Sequence, residues 1–185
     1  MLAVLFPLII IQADHVKAED SRMKSDDFRK WNVHTQDVRQ KIGLTVRGCP
    51  WSGANSLPVP ASLPRCTDNV DVCFWKLRCD HPGIPLKVLT NDSWCHMTQS
   101  VQRLPCIRGK LPCLLANSIF YSFEQNICLS GASHLEIMGW DQDDCPPLDV
   151  ISDHEARDLA GNAFSLPCSA LVSAACIANP FAPWH

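Results

Sequence analysis

No two of the chain's 11 cysteines are spaced Cys-x-x-Cys, and no His-x-x-x-His accompanies them. A zinc finger or ribbon needs two ligands close in sequence to form half of a tetrahedral site, so a structural zinc site is not expected. His81, His96, His134 and His154 form no close pair. Asp141, Asp143 and Asp144 lack the Gly and distal Glu of a calcium loop, and Pro146-Pro147 interrupts them. No apolar run approaches the length of about 20 residues that spans a bilayer as a helix. Charge is sparse: 19% of the 185 residues are charged and 46% are hydrophobic, with a net charge of -3. That balance excludes a disordered polyelectrolyte. The composition also excludes a collagen and a coiled coil, and no internal repeat is present. Glycine is scarce at 8 residues beside 14 prolines, as in a loop-rich chain of short regular elements.

What is present is uneven. Lys17 to Lys110 carries 15 Lys and Arg against 9 Asp and Glu; Glu124 to Asp158 carries 1 against 9. The first part could face a polyanion and the second could not. An odd cysteine count leaves at least one thiol outside intrachain pairing. Two readings follow: a secreted disulfide scaffold, or a reduced protein using cysteine as a small apolar filler. Leu2–Ile11 is an unbroken apolar run, and Ile11-Gln12-Ala13 has the form of a signal-peptidase site. Residues 1–13 therefore read as a signal peptide or as a buried strand, and the lack of any Lys or Arg before the run weighs against the first.

Along the chain, residues 14–30 suit a charged surface helix. Ile42–Val46 reads as a strand. Residues 48–70, with Pro50, Pro58, Pro60 and Pro64, read as an irregular linker. Val70–Leu77 and Leu86–Leu89 are strand candidates, and a further strand is expected near Leu114–Phe123. Gly131–Gly139 reads as a short helix with Ser133 as N-cap and Gly139 at its C-terminal end. Ser152 or Asp153 is placed to cap a helix from His154, interrupted at Gly161-Asn162. Ala163–Ala178 then reads as a helix apolar over most of its circumference, which calls for burial against a sheet or other helices.

The segment Glu155-Ala-Arg-Asp-Leu-Ala-Gly-Asn-Ala-Phe-Ser-Leu-Pro resembles the last motif of the cytosine-5 DNA methyltransferases. There a Gly-Asn turn leads into the C-terminal helix. Leu129–Trp140, ending Gly139-Trp140, is similar to the family's penultimate motif, a short helix closed by Gly-aromatic. Gly109–Tyr121 is similar to the strand pair leaving the target-recognition region. The resemblance covers residues 109–178; before that, Gln36, Arg39 and Lys41 correspond only loosely to a Gln-x-Arg-x-Arg motif.

The resemblance implies an incomplete α/β fold. A loop-rich small-strand region is followed by C-terminal helices that would close a Rossmann-like methyltransferase sheet. It divides the chain into a remnant strand/helix segment at 1–47, a target-recognition-like region at 48–123 and closing helices at 124–185. It implies S-adenosylmethionine as cofactor, with Gly161, Asn162 and Ala163 at the cofactor. Glycine permits close backbone approach, Asn donates and accepts, and a following helix N-terminus favours a carboxylate. It implies DNA as partner, a nuclear location and no membrane span. The chain departs from the family in having no Gly-x-Gly and no Glu-Asn pair. Pro105-Cys106, Pro112-Cys113 and Pro167-Cys168 lack the residues that follow the family's Pro-Cys nucleophile. No catalytic residue and no metal ligand is therefore assigned, and activity is expected only with a complementing catalytic half. The alternative is a secreted cysteine-rich binding protein without enzymatic activity. Because the sheet that the last helix would pack on is mostly absent, an exposed apolar flank is expected there.

Overall fold

Cys66, Asn69, Val70, Cys73, Phe74 and Leu77 recur at intervals of three and four residues, which is the stripe a helix buries. In a computed structural model they lie on α2 (Pro64–Asp80), and all six are buried. The structure describes residues 25–45, 47–58, 61, 63–103, 106–140, 150–163 and 165–178. Pro64 starts α2 where its missing N–H costs nothing. The strand expected at Val70–Leu77 is therefore a helix. Its β-branched valines lie on a helical stripe whose burial outweighs their weak strand preference, at about 1.5–3 kcal/mol per large apolar side chain.

The architecture is mixed and mostly helical, with one small antiparallel sheet. The described residues form two compact units: those of 25–113 with 118–129, and those of 114–117 with 130–178. In the larger unit, α1 (Ser25–Lys41) precedes α2, and α3 (Leu86–Thr90) follows. Strands β1 (Ser93–His96), β2 (Cys106–Arg108), β3 (Phe120–Ser122) and β4 (Ile127–Cys128) complete it. Their spatial order is β2-β1-β3-β4, with every neighbouring pair antiparallel.

Three other expectations change. Ile42 and Gly43 form a turn after α1, and Val46 lies outside the described residues. Leu86–Leu89 is helical, entered through Pro85. Only Phe120–Ser122 of the expected 114–123 strand pairs in the sheet. The charged stretch 14–30 lies outside the described residues up to 24, and its remainder continues as α1 to Lys41. The proposed signal segment 1–13 is also outside the described residues. Among these, no helix is long and apolar enough to cross a membrane.

The larger unit's core lies between α2 and the sheet. Trp51 packs against Phe74 at a tilt, with ring centroids 4.8 Å apart, and meets Phe123 edge-on at 5.2 Å. Its indole N–H donates to the Tyr121 hydroxyl at 2.8 Å, and that hydroxyl donates to Asn126 at 2.7 Å. Burial raises the Tyr121 pKa to about 12, so the phenol stays a neutral donor. Asp71, 1% exposed, accepts from the backbone N–H groups of Trp51 and Ser52 and from the Ser52 hydroxyl. This carboxylate fixes the turn that delivers Trp51 to the core. Arg39 on α1 pairs with Asp68 on α2 and donates to the carbonyls of Thr45 and Gly48. Desolvation raises the Asp68 pKa, and the Arg39 charge opposes that shift.

Candidate functional site

The second unit carries the residues singled out by sequence. Its helices are α4 (Gly131–Ile137), α5 (Asp153–Asn162) and α6 (Leu166–Ala178). α4 begins at Gly131 as read from sequence, but its N-cap differs: Ser130, not Ser133, is the N-cap, and its hydroxyl accepts from the Ser133 N–H at 3.2 Å. Ser133 serves instead as the N3 donor. The α4 backbone turns out of the helix at Gly139, whose φ of +89° is readily reached only by glycine. Trp140 then folds back on the cluster of Leu135, Ala156 and Ala160. The Trp140 indole N–H is buried and makes no hydrogen bond within the described residues.

Of the two caps read from sequence, Ser152 is the N-cap of α5, and it forms a capping box with Glu155. The Ser152 hydroxyl accepts from the Glu155 N–H, and the Glu155 carboxylate accepts from the Ser152 N–H at 2.7 Å. The backbone N–H of Ser152, followed by its hydroxyl, lowers the Glu155 pKa. At the first helical position, Asp153 accepts from the Gly131 N–H and pairs with Arg157 one turn on, which ties α5 to the start of α4. His134 of α4 is fully buried, and its Nδ1 lies 2.6 Å from the Ser130 carbonyl. Burial lowers its pKa, so the neutral imidazole is the form the fold accommodates.

Gly161, Asn162 and Ala163 come together at the C-terminal end of α5. Each has a local structural partner there. A Cβ on Gly161 would collide with the Ala116 N and the Leu115 carbonyl, so this glycine lets another stretch of backbone lie against the helix. Asn162 is exposed and donates to the Asp158 carbonyl four residues back. The Ala163 N–H donates to Leu159 O and closes the helix. The Asp158 carboxylate accepts from the Asn117 N–H at 3.0 Å, which clamps the same 115–117 stretch. α6 starts three residues later than expected, at Leu166, whose N–H donates to Met138 O.

α6 exposes Leu171, Val172 and Ile177, at 72%, 60% and 80% of their surface. The exposed flank read from sequence is present, but the expected burial against a sheet or other helices is not: among the described side chains from Leu166 to Ile177 all but Ser169 are exposed. Of the three Pro-Cys pairs, Cys113 is exposed on the segment between β2 and β3, and Cys168 is exposed in the first turn of α6. Cys106 opens β2. Among the described residues no group of three or more His, Cys, Asp or Glu side chains is placed to hold a metal ion.

Two features were not anticipated from sequence. The Trp51–Asp71–Tyr121 network joins residues 20 and 70 positions apart, and no local pattern announces it. The sheet register also aligns Cys106, Cys95, Tyr121 and Cys128 as one row across the four strands. In the larger unit the side chains of Arg47, Lys76, Arg78, Lys87, Arg103, Arg108 and Lys110 are exposed, whereas Arg39 is spent on Asp68. Comparison with protein-family models, with curated proteins and with solved structures finds no match to this chain.

Proposed function

We propose that the chain is the recognition and closing part of a DNA (cytosine-5-) methyltransferase, dependent on S-adenosylmethionine when complete and inactive alone. The observation that carries this reading is α6. It is an apolar helix with uncovered Leu171, Val172 and Ile177, following in order a helix closed by Gly139-Trp140 and a helix ending in Gly161-Asn162. In the proposed whole enzyme α6 packs on a Rossmann-like sheet supplied by the catalytic half. The exposed Arg and Lys side chains of the larger unit meet the phosphates of DNA, whose neutralisation dominates such affinity. The nucleus is the compartment that goes with this role.

The chemistry needs a thiolate to attack C6 of a flipped cytosine, a carboxylate at the base and a Gly-rich loop for the cofactor. This chain supplies none of the three, so catalysis belongs to the complementing half. Of the candidate cofactor contacts Gly161, Asn162 and Ala163, Asn162 is exposed and able to exchange its Asp158 bond for a ligand, whereas the 115–116 backbone covers Gly161, which supplies position.

The test is methyl transfer. The chain alone should move no labelled methyl group from S-adenosylmethionine to cytosine, and adding a polypeptide with the missing Gly-rich loop and Pro-Cys motif should restore transfer. Asn162→Ala should then weaken cofactor affinity by up to about tenfold, the worth of one hydrogen bond. Cys113→Ser and Cys168→Ser should leave the restored rate unchanged. Transfer by the chain alone, or its abolition by either serine variant, would overturn the assignment. The alternative, a secreted cysteine-rich binding protein, draws support from the cysteine row in the sheet. Five closed disulfides in material from the native source would favour it.

A further inference from the structure

The larger unit has an alignment of cysteines that the methyltransferase reading does not use. Cys95 of β1 and Cys106 of β2 are Cα partners in an antiparallel ladder. Gly109 N–H donates to Asp92 O at 2.8 Å, in the same register, so 92 and 109 form a hydrogen-bonded pair. The two pair types alternate along the ladder. Ser93 with Arg108 is therefore non-hydrogen-bonded, Trp94 with Ile107 hydrogen-bonded, and Cys95 with Cys106 non-hydrogen-bonded. At that position type the Cα atoms approach to about 4.5 Å and side chains stand closest. That spacing falls within the range a disulfide accepts. The connection between the two strands contains the short helical turn Val101–Arg103 and closes a short loop.

We propose that Cys95 and Cys106 form a cross-strand disulfide. The oxidant is a small-molecule disulfide of the glutathione class. The Cys106 thiolate, on the edge strand of the sheet, attacks one oxidant sulfur. The oxidant's S–S bond breaks, a mixed disulfide forms and one glutathione thiol leaves. The Cys95 thiolate then attacks the Cys106 sulfur and releases the second glutathione thiol. Two protein thiols have lost two protons and two electrons, and one disulfide has been reduced to two thiols. Cys95 is the fixed member of the pair: it is fully buried, and its Sγ lies 3.9 Å from the Asn69 carbonyl on α2. Cys128 lies in the same row but is separated from Cys95 by Tyr121. Within the sheet, register thus selects Cys106 over Cys128 as the partner of Cys95. The inference goes beyond the methyltransferase reading and does not depend on it.

The test is peptide mapping of the full chain after equilibration with glutathione disulfide, acid quench, unfolding and alkylation. Trypsin cuts after Arg103, so the bond would join the peptide carrying Cys95 to the peptide carrying Cys106, and reduction would separate them. That linked pair is the expected result. It should survive Cys128→Ala and vanish in Cys106→Ala. The exposed Cys49, Cys79 and Cys168 should carry glutathione in the same sample, which shows that the oxidant has reacted. Recovery of both Cys95 and Cys106 as alkylated thiols would overturn the proposal. So would Cys95 linked to Cys66, Cys73 or Cys128, or Cys106 linked to any other cysteine.

Discussion

Replacing Gly161 by alanine sets two opposing effects against each other, and their magnitudes decide the sign. Gly161 is helical, in the last turn of α5, and its φ is not among the positive values. On propensity alone, alanine should stabilise the helix by about 1 kcal/mol. Against this, the new Cβ would overlap the Ala116 nitrogen and the Leu115 carbonyl carbon and oxygen. These are backbone atoms and have no rotamer by which to give way. Overpacking of this kind costs about 1–3 kcal/mol in a packed site. Moving the 115–117 stretch aside would also strain the Asn117 N–H to Asp158 hydrogen bond, worth about 1.5–3 kcal/mol because its acceptor is charged. The overlap should win, for a net loss of about 1–3 kcal/mol. Amide hydrogen exchange is the suitable assay, since it reads the opening of α5 separately from the other unit. Exchange across residues 153–163 should accelerate by about 5- to 150-fold, with α2 unchanged. If Gly161→Ala instead slows exchange there, the close approach is wrong. If it changes nothing without a ligand, the glycine serves a ligand rather than the fold.

Two further perturbations probe the rest of the molecule. Asp71→Ala strands the Trp51 and Ser52 N–H groups in the interior, at about 1–3 kcal/mol for each unsatisfied donor. The urea midpoint should fall by an equivalent of several kcal/mol and Trp51 fluorescence should shift to the red; a loss under about 1 kcal/mol would mean the turn is held by something else. His134 has a folded pKa below its ordinary value of 6.5, chiefly because it is buried. The unfolded chain therefore binds the proton more readily, and stability should be constant above about pH 6.5 and decline as pH falls through that value toward the folded pKa. Comparing chemical denaturation at several pH values with His134→Gln checks this, since the variant should lose that part of the decline.

The local signals read from the sequence held where the chemistry was local. Ser152 followed by Glu155 is a self-contained capping device, and α5 starts where it directs. Gly139 ended α4 because only glycine reaches that φ cheaply. Ser133 was displaced as a cap by Ser130, three residues earlier, because both serines offer the same hydroxyl and the sequence does not rank them. The larger failure was at 64–80. Proline at 64 with two valines and three cysteines in short compass looked irregular or β-like, yet the burial stripe ran at helical spacing through two polar residues, Asn69 and Asp71. Those two are buried because distant partners satisfy them: the Met97 and Gln99 carbonyls accept from Asn69, and the Trp51–Ser52 turn donates to Asp71. A periodicity search that scores polar residues as exposed breaks at such positions.

The same distinction applies to the candidate sites. Gly161-Asn162 was recognisable as a pair, but its surroundings were not: the sequence does not indicate that the 115–116 backbone lies against Gly161. Close approach of backbone is one reason a glycine is placed, and the approaching group can be a ligand or another part of the chain. Here the chain itself already fills the space over Gly161, which leaves Asn162 as the member of the pair with a side chain open to solvent. A cofactor role at this helix end therefore rests on Asn162 and the backbone beyond it, with Gly161 supplying position. The cysteine row shows the converse. Its three cysteines, with Tyr121 among them, are spread from 95 to 128 with no repeating interval, and strand register alone brings them into line. Counting cysteines left filler and disulfide readings equal, since both need the same number of sulfurs. Register adds one geometric fact to that choice: Cys95 and Cys106 are Cα partners at a non-hydrogen-bonded position, the spacing a disulfide can bridge.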